Sequence, residues 1–279
     1  MRQVIAVASG KGGVGKTLLT GALGIALSRM GKRTLVADAD MGMRNLDLPL
    51  GVFLPGRYTL WDAACRRCSG KEAVAPAAEN LDVLPGTPRK EWKDIPKGLA
   101  EKAFRAVSED YDCVLIDCPA GLGKGVRWAA DLADGVLLVT DGTPSSLRAV
   151  QRMETALAGL GEIWHLLNRA PQKEGDEARR LFWSEPGRIG TAVGIIPLDE
   201  EAADLSAAGR LIEYDDAGAF GKSVHMAARA LFDGMIYPEA VWEALRQQSG
   251  SAEAAPSAGY AVSRLLKGRR TGRWKWKGR

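Results

Sequence analysis

Ser9-Gly10-Lys11-Gly12-Gly13-Val14-Gly15-Lys16-Thr17, SGKGGVGKT, follows an apolar run, VIAVA, over 4–8 of a 279-residue chain. Gly10, Gly15, Lys16 and Thr17 fill the fixed places of G-x-x-x-x-G-K-[ST], and the setting is a strand before the loop and a helix after it. Such glycines let backbone N–H groups converge on phosphate oxygens, and the helix N-terminus adds its partial positive charge. The predicted cradle is Gly12, Gly13, Val14, Gly15, Lys16, Thr17 and Leu18. Lys16 is expected to reach the β- and γ-phosphates of a nucleotide, and the Thr17 hydroxyl to ligate Mg²⁺. Lys11 is left over. One loop holding one nucleotide does not call for a cation at its front edge. Burying a spare lysine there is costly unless it meets a negative charge. Lys11 is therefore either solvated or partnered outside its own site.

Outward from the loop, short β-rich runs alternate with helical patterns. Strands are predicted at 3–8, 33–38, 81–85, 113–117, 135–140, 163–168 and 192–197, and helices at 17–30, 145–160 and 217–235. Continuous apolar strands between helices are what a parallel sheet covered on both faces requires. The fold class is α/β, a doubly wound, mostly parallel sheet. The polar stretch over 170–187 has room for a short helix. QQSGSAEAAPSAG, 247–259, has the composition of a flexible linker, separating a domain over 1–246 from a tail over 260–279.

Hydrophobic residues make up 46% of the chain and charged ones 26%, enough to bury a sizeable core. Four cysteines without an extracellular spacing pattern argue for a reducing compartment. The start shows no charged-then-apolar leader, and no apolar run approaches the length needed to cross a bilayer. The expected location is cytoplasmic. Net charge is +4, unevenly spread: eight Lys or Arg and no acid lie over 264–279, leaving 30 of the 38 bases against all 34 acids in residues 1–263. A mildly acidic body with a basic tail points to an anionic partner.

Asp38 and Asp40 lie in VADADMGMRNLDLPLG, at the C-terminal end of the second strand, where ligands bind in such sheets. Asp117 ends the apolar run CVLID. Alternation in an extended Asp38-Ala39-Asp40 points both acids the same way. A carboxylate just beyond an apolar strand, in a chain with a phosphate loop, is well placed to hold Mg²⁺ through water.

The loop K-G-G-x-G-K-[ST] resembles the deviant Walker A family of MinD- and ParA-type ATPases. The segments D-x-D-x-G-x-R-N-L-D from Asp38 and D-x-P-A-G from Asp117 resemble the MinD-type septum-site ATPases more closely; ParA members usually carry D-x-D-P-Q-G at the first. The resemblance covers roughly residues 2–235. It departs at Leu18, where a second Thr is common, and at Cys118, where Ser is common. It implies that Lys11 crosses a nucleotide-sandwich homodimer to the opposite subunit's phosphates. It implies that Asp40 orients the attacking water, that Asp38 couples metal and switch, and that Asp117 is the Walker B carboxylate. The implied activity is slow, dimer-dependent ATP hydrolysis with Mg²⁺. Asn168 and Arg169 match a pair that the family uses at the base, and an amide that both donates and accepts suits an adenine edge. Pro197 and Asp199 match a G-x-I-P-x-D segment near the base; a strand-end turn and helix cap is the competing reading. Division-regulator partners are implied, with Arg44 and Asn45 on the partner surface.

Cys65-x-x-Cys68, with Cys113 and Cys118 flanking the Asp117 strand, resembles the cluster-carrying ATPases of the same class. However, LWDAACRRCSG reads as a helix on which the two thiols share a face. His165 and His225 stand alone. In the tail, Val262, Leu265 and Leu266 fall on one side of a helical projection, with Arg264 and Lys267 opposite and Trp274 and Trp276 beyond. The tail resembles the family's membrane-targeting helix, although Gly268 and Gly272 interrupt it and Arg269 falls on its apolar face. Anionic lipid on the inner face of the membrane is the expected contact. Tryptophans among bases also suit nucleic acid, and the alternative is a ParA-like or flagellar-number ATPase using its tail on DNA or an assembly platform.

Overall fold

In the computed structural model β1 (Gln3–Ser9) lies at the middle of an eight-stranded sheet of order β3-β4-β2-β5-β1-β6-β7-β8. The structure describes residues 2–52, 58–88, 90, 92–94, 98–170, 182 and 189–237. The boundary at 246, the linker, the tail and most of the 170–187 segment lie outside them.

The chain runs through α1 (Lys16–Arg29), β2 (Thr34–Asp38), α2 (Leu60–Ala64), α3 (Gly70–Ala73), β3 (Ala75–Ala78) and β4 (Leu81–Leu84). It continues through α4 (Leu99–Ser108), β5 (Cys113–Ala120), α5 (Lys124–Leu132), β6 (Gly135–Thr140) and α6 (Pro144–Leu157). β7 (Glu162–Ala170), β8 (Thr191–Pro197), α7 (Glu200–Ala207) and α8 (Ala219–Asp233) complete it. Every described strand pair is parallel except β3–β4.

Alternation along the central strands builds two cores. Ile5 and Val7, Cys113 and Leu115, and Leu137 and Val139 face one side, with α1 and α8 residues such as Leu23 and Val224. Val4 and Ala6, Val114 and Ile116, and Val136 and Leu138 face the other, with Phe104, Val126 and Met153. Because both faces are covered, these strands read as unbroken apolar runs. α1 is buried nearly all round, and a Cβ at Gly24 would lie 2.6 Å from the Val36 methyl, so glycine sets its approach to the sheet.

Each predicted strand forms: that over 135–140 coincides with β6, and the other six are displaced at one or both ends by one to three residues. β3 was not expected, because APAA lacks the β-branched signature; it pairs antiparallel at the edge, with Pro76 opposite Asp82. The stretch around Cys65 also differs from the predicted helix. α2 stops at Ala64, Arg66 takes a left-handed φ of 57°, and Ser69 caps α3 with a capping box to Glu72. All four cysteines are free. Burial, then Asp62 and Glu72, raise the Cys68 thiol, which disfavours the thiolate a cluster needs. β5 runs through Cys118, so this thiol lies within the strand and not beyond it, and burial drives its pKa upward.

Candidate functional site: a phosphate loop facing three aspartates

The loop between β1 and α1 lies at the carboxyl end of the sheet, beside β5 and β6, where the strand order turns in both directions from β1. Gly13 and Gly15 both take φ 83°, a region where a side chain is strained. A Cβ at Gly15 would also lie 2.6 Å from Asn168 Nδ2, and one at Gly10 would lie 2.5 Å from Ala149 Cβ on α6. Gly12 has open space around it. Asn168, buried at the end of β7, donates from Nδ2 to the Val14 carbonyl at 2.8 Å. Arg169, at φ 55°, donates to the Gly13 carbonyl at 2.6 Å. The predicted base readers thus brace the loop from behind. Leu18, where the family pattern favours a hydroxyl, packs partly buried against the core.

Asp117 is the hub. It is 1% exposed and receives Lys16 Nζ on Oδ1 at 2.6 Å, Thr17 Oγ1 on Oδ2 at 2.8 Å and Thr20 Oγ1 on Oδ1 at 3.0 Å. Burial opposes the charge on Lys16, but the charge and hydrogen bond of Asp117 outweigh it and raise the lysine above its ordinary range. Thr20 escaped the sequence reading: it stands one helical turn beyond Lys16, whose carbonyl its hydroxyl also meets at 2.9 Å, and outside the motif.

Asp38 closes β2 opposite Asp117 in register. The extended segment ends there: Asp38 Oδ1 accepts the Asp40 N–H at 2.8 Å, and Oδ2 accepts those of Asn45 and Leu46 at 3.0 and 3.2 Å. Asp38 is therefore buried while Asp40 is half-buried, and the two acids do not share one exposure. Burial first, and then Asp117, push the Asp38 carboxyl up to about 7 against these N–H donors. Burial also raises Asp40, with Lys16 opposing. Gly86, unmarked in the sequence, permits this packing: a Cβ there would lie 3.1 Å from Asp38 Cγ.

Lys11 is exposed and donates to Ser145 Oγ at the start of α6, 3.2 Å away. Its charge helps to lower Asp141, where burial is outweighed by the hydrogen bonds of Thr143. Its own chain thus supplies it with a polar contact at the rim. Pro197 ends β8, and Asp199 caps α7 by accepting the Ala202 N–H at 2.8 Å and the Tyr214 hydroxyl at 3.0 Å. Here the helix-cap reading describes the contacts. Arg44 differs from the exposed residue expected: its guanidinium pairs with Asp47 at 3.0 Å and is 16% exposed, while Met43 and Leu48 stand out at 63% and 55%. His165 pairs with Glu154 at 2.9 Å, both buried, away from the aspartates.

The oxygens of Thr17, Asp38 and Asp117 suit Mg²⁺, a hard cation held through few protein oxygens together with phosphate and water. Among the described residues no three His, Cys, Asp or Glu side chains converge into a self-contained metal cage. None of the described helices is long and apolar enough to cross a membrane.

Residues 2–170 match a family of AAA domains. The chain is 36% identical over 173 residues to the septum site-determining protein MinD of Synechocystis, covering 61% of this chain and 65% of that relative's length. It is 30% identical over 240 residues to an uncharacterized ATP-binding protein of Methanocaldococcus jannaschii, covering 83% of this chain and 88% of the other. Among solved structures, the MinC:MinD cell division protein complex of Aquifex aeolicus superposes with a TM-score of 0.73 at 28% identity, covering 85% of this chain and 97% of that one. MinD of Pyrococcus horikoshii complexed with Mg-ADP gives 0.68 at 28% identity, covering 83% and 96%.

Proposed function

The chain belongs to the AAA-domain family and, within it, to the MinD-type ATPases, and from that premise we propose an ATP-hydrolysing dimerisation switch that helps to place the division septum from the inner face of the membrane. The observation that carries the nucleotide chemistry is the hub: Asp117 takes Lys16, Thr17 and Thr20 together, with Asp38 and Asp40 on the neighbouring strand end. Phosphoryl transfer needs positioning and charge neutralisation and no covalent nucleophile, so this set suffices.

The backbone of Gly12, Gly13, Val14 and Gly15 cradles the phosphates, and Lys16 leaves Asp117 to meet them. Thr17, Asp38 and Asp117 would hold Mg²⁺, which when bound supplies neutralising charge to the phosphate oxygens. Asp40, half-buried at the loop's open side, orients the attacking water and accepts its proton. Lys11, at the rim and hydrogen-bonded among the described residues to a serine hydroxyl, swings to the phosphates of a second copy. Asn168 and Arg169 fix the loop behind the nucleotide and, with Pro197 and Asp199, border the base.

The basic tail over 260–279 supplies the membrane contact. One tail binds weakly, and a dimer's two tails gain effective concentration, so nucleotide state governs residence on anionic lipid. The similarity to the Aquifex MinC:MinD complex supports a division-regulator partner. Light scattering with Mg-ATP tests the switch: the unaltered chain dimerises and Lys11→Ala stays monomeric, whereas unchanged dimerisation of that variant rejects the crossing lysine. Co-sedimentation with anionic vesicles, beside DNA retention at matched salt, tests the tail. ATP-dependent lipid binding lost on removing 256–279 supports the membrane reading, and DNA retention without lipid binding replaces it with the nucleic-acid one.

A further inference from the structure

An aromatic cluster lies between the two acid-bearing segments, and neither the phosphate loop nor the acids account for it. Trp92 opens the short 3-10 turn Trp92–Asp94 and donates from Nε1 to the Ala39 carbonyl at 2.8 Å. Ala39 is fully buried and stands between Asp38 and Asp40; its own N–H donates to the Asp117 carbonyl at 2.9 Å. The indole also lies against the segment after Asp117. Its centroid is 4.6 Å from that of Trp128 on α5, and Trp128 lies edge-on to Phe104 at 5.4 Å. A Cβ at Gly125, in the first turn of α5, would lie 2.4 Å from Trp92 Nε1 and 2.8 Å from Pro119 Cγ. The ring therefore touches both segments, and neither can shift without moving it or breaking its hydrogen bond. Packed contacts of this kind transmit displacement because interiors do not deform smoothly.

We infer that Trp92 is a positioning residue that couples the Asp38–Asp40 turn to α5, holding Asp40 in register through the Ala39 carbonyl while the helix after Asp117 sets where the indole sits. The inference rests on the ATPase reading of the site and adds to it a residue that touches no substrate. Trp92 has no contact with Lys16, Thr17 or the loop backbone among the described interactions, so its effect falls on the chemical step and not on nucleotide affinity.

The cluster contains its own control. Trp128 Nε1 is buried without a hydrogen-bond partner among the described residues. Trp92→Phe and Trp128→Phe thus remove the same group from the same cluster, but only the first removes a bond to the acid-bearing turn. In full-length protein, Trp92→Phe is expected to lower kcat about five- to twenty-fold with KM for ATP changed less than about twofold, while Trp128→Phe keeps kcat within about twofold. In protein labelled with 5-fluorotryptophan, the ¹⁹F resonance missing from Trp92→Phe should shift on adding Mg²⁺ and a non-hydrolysable ATP analogue. Equal kcat in the two variants, or a Trp92 resonance that stays still while the analogue binds, overturns the inference. Should Trp92→Phe melt early, Trp92→His, which keeps a ring N–H, decides: recovered kcat supports the coupling, and no recovery rejects it. Failure of the unaltered chain to hydrolyse ATP would count against the ATPase reading, and the nucleotide-dependent shift would still judge the coupling.

Discussion

Asp38, at the end of β2, sits in register beside Asp117 of β5, both 1% exposed, and the lysine of the site pairs with Asp117. The conflict falls on Asp38, raised to about 7 from an ordinary 3.8 by burial and the Asp117 charge. The sign follows from linkage. The unfolded chain releases this proton near pH 4 and the folded chain near 7, so the contribution of Asp38 to nucleotide-free stability falls as pH rises across that window and is level above it. Asp38→Asn removes the charge and keeps one acceptor oxygen, at the cost of an NH2 facing the N–H donors of the other, a cost that does not change with pH. Measured against the unaltered protein, its melting temperature should therefore gain roughly 5 °C between pH 4 and pH 8, while ATPase activity is lost. A gap constant with pH would show that Asp38 is not the titrating group. Thr20→Val leaves Asp117 short of a donor and should cost about 1–2 kcal/mol in denaturant unfolding. At this scale the motif residues were legible because spacing defines them. Thr20, Gly86 and Trp92 were not, since their roles come from what the fold brings beside Asp117, Asp38 and Ala39.

The phosphate loop is held by its neighbouring elements as much as by its own glycines. β7 supplies Asn168 and Arg169 to two loop carbonyls, and α6 presses Ala149 against Gly10. Gly15→Ala meets both a positive φ and the Asn168 amide, so calorimetry should show ATP affinity reduced at least about tenfold in a chain that keeps its circular dichroism spectrum. Asn168→Ala frees the buried Val14 carbonyl and should raise KM for ATP several-fold with kcat less affected, a split measurable by steady-state kinetics. The seven predicted strands were readable because each central one is apolar on both faces. β3 was not, since APAA gains its strand conformation from pairing with β4 and not from propensity. The stretch around Cys65 was misread because periodicity does not show a chain reversal at Arg66, where left-handed backbone ends one helix before Ser69 begins the next.

For the whole molecule, the doubly wound architecture places every element of the site on one rim of the sheet, which made the location of the site legible before its contacts were. That rim carries Lys11 at its edge, and the exposed Met43 and Leu122 lie close in sequence to Asp40 and Asp117. Lys16→Ala should lower ATPase turnover at least about 100-fold while the fold persists, measured by phosphate release against thermal melting. The opposite flank of the sheet has a different consequence. β3 is four residues long, runs against its neighbour and carries Pro76, which offers no N–H to an incoming chain. Among the described residues this is a free edge of the sheet, and lateral growth of ribbons by backbone stitching is disfavoured on that side.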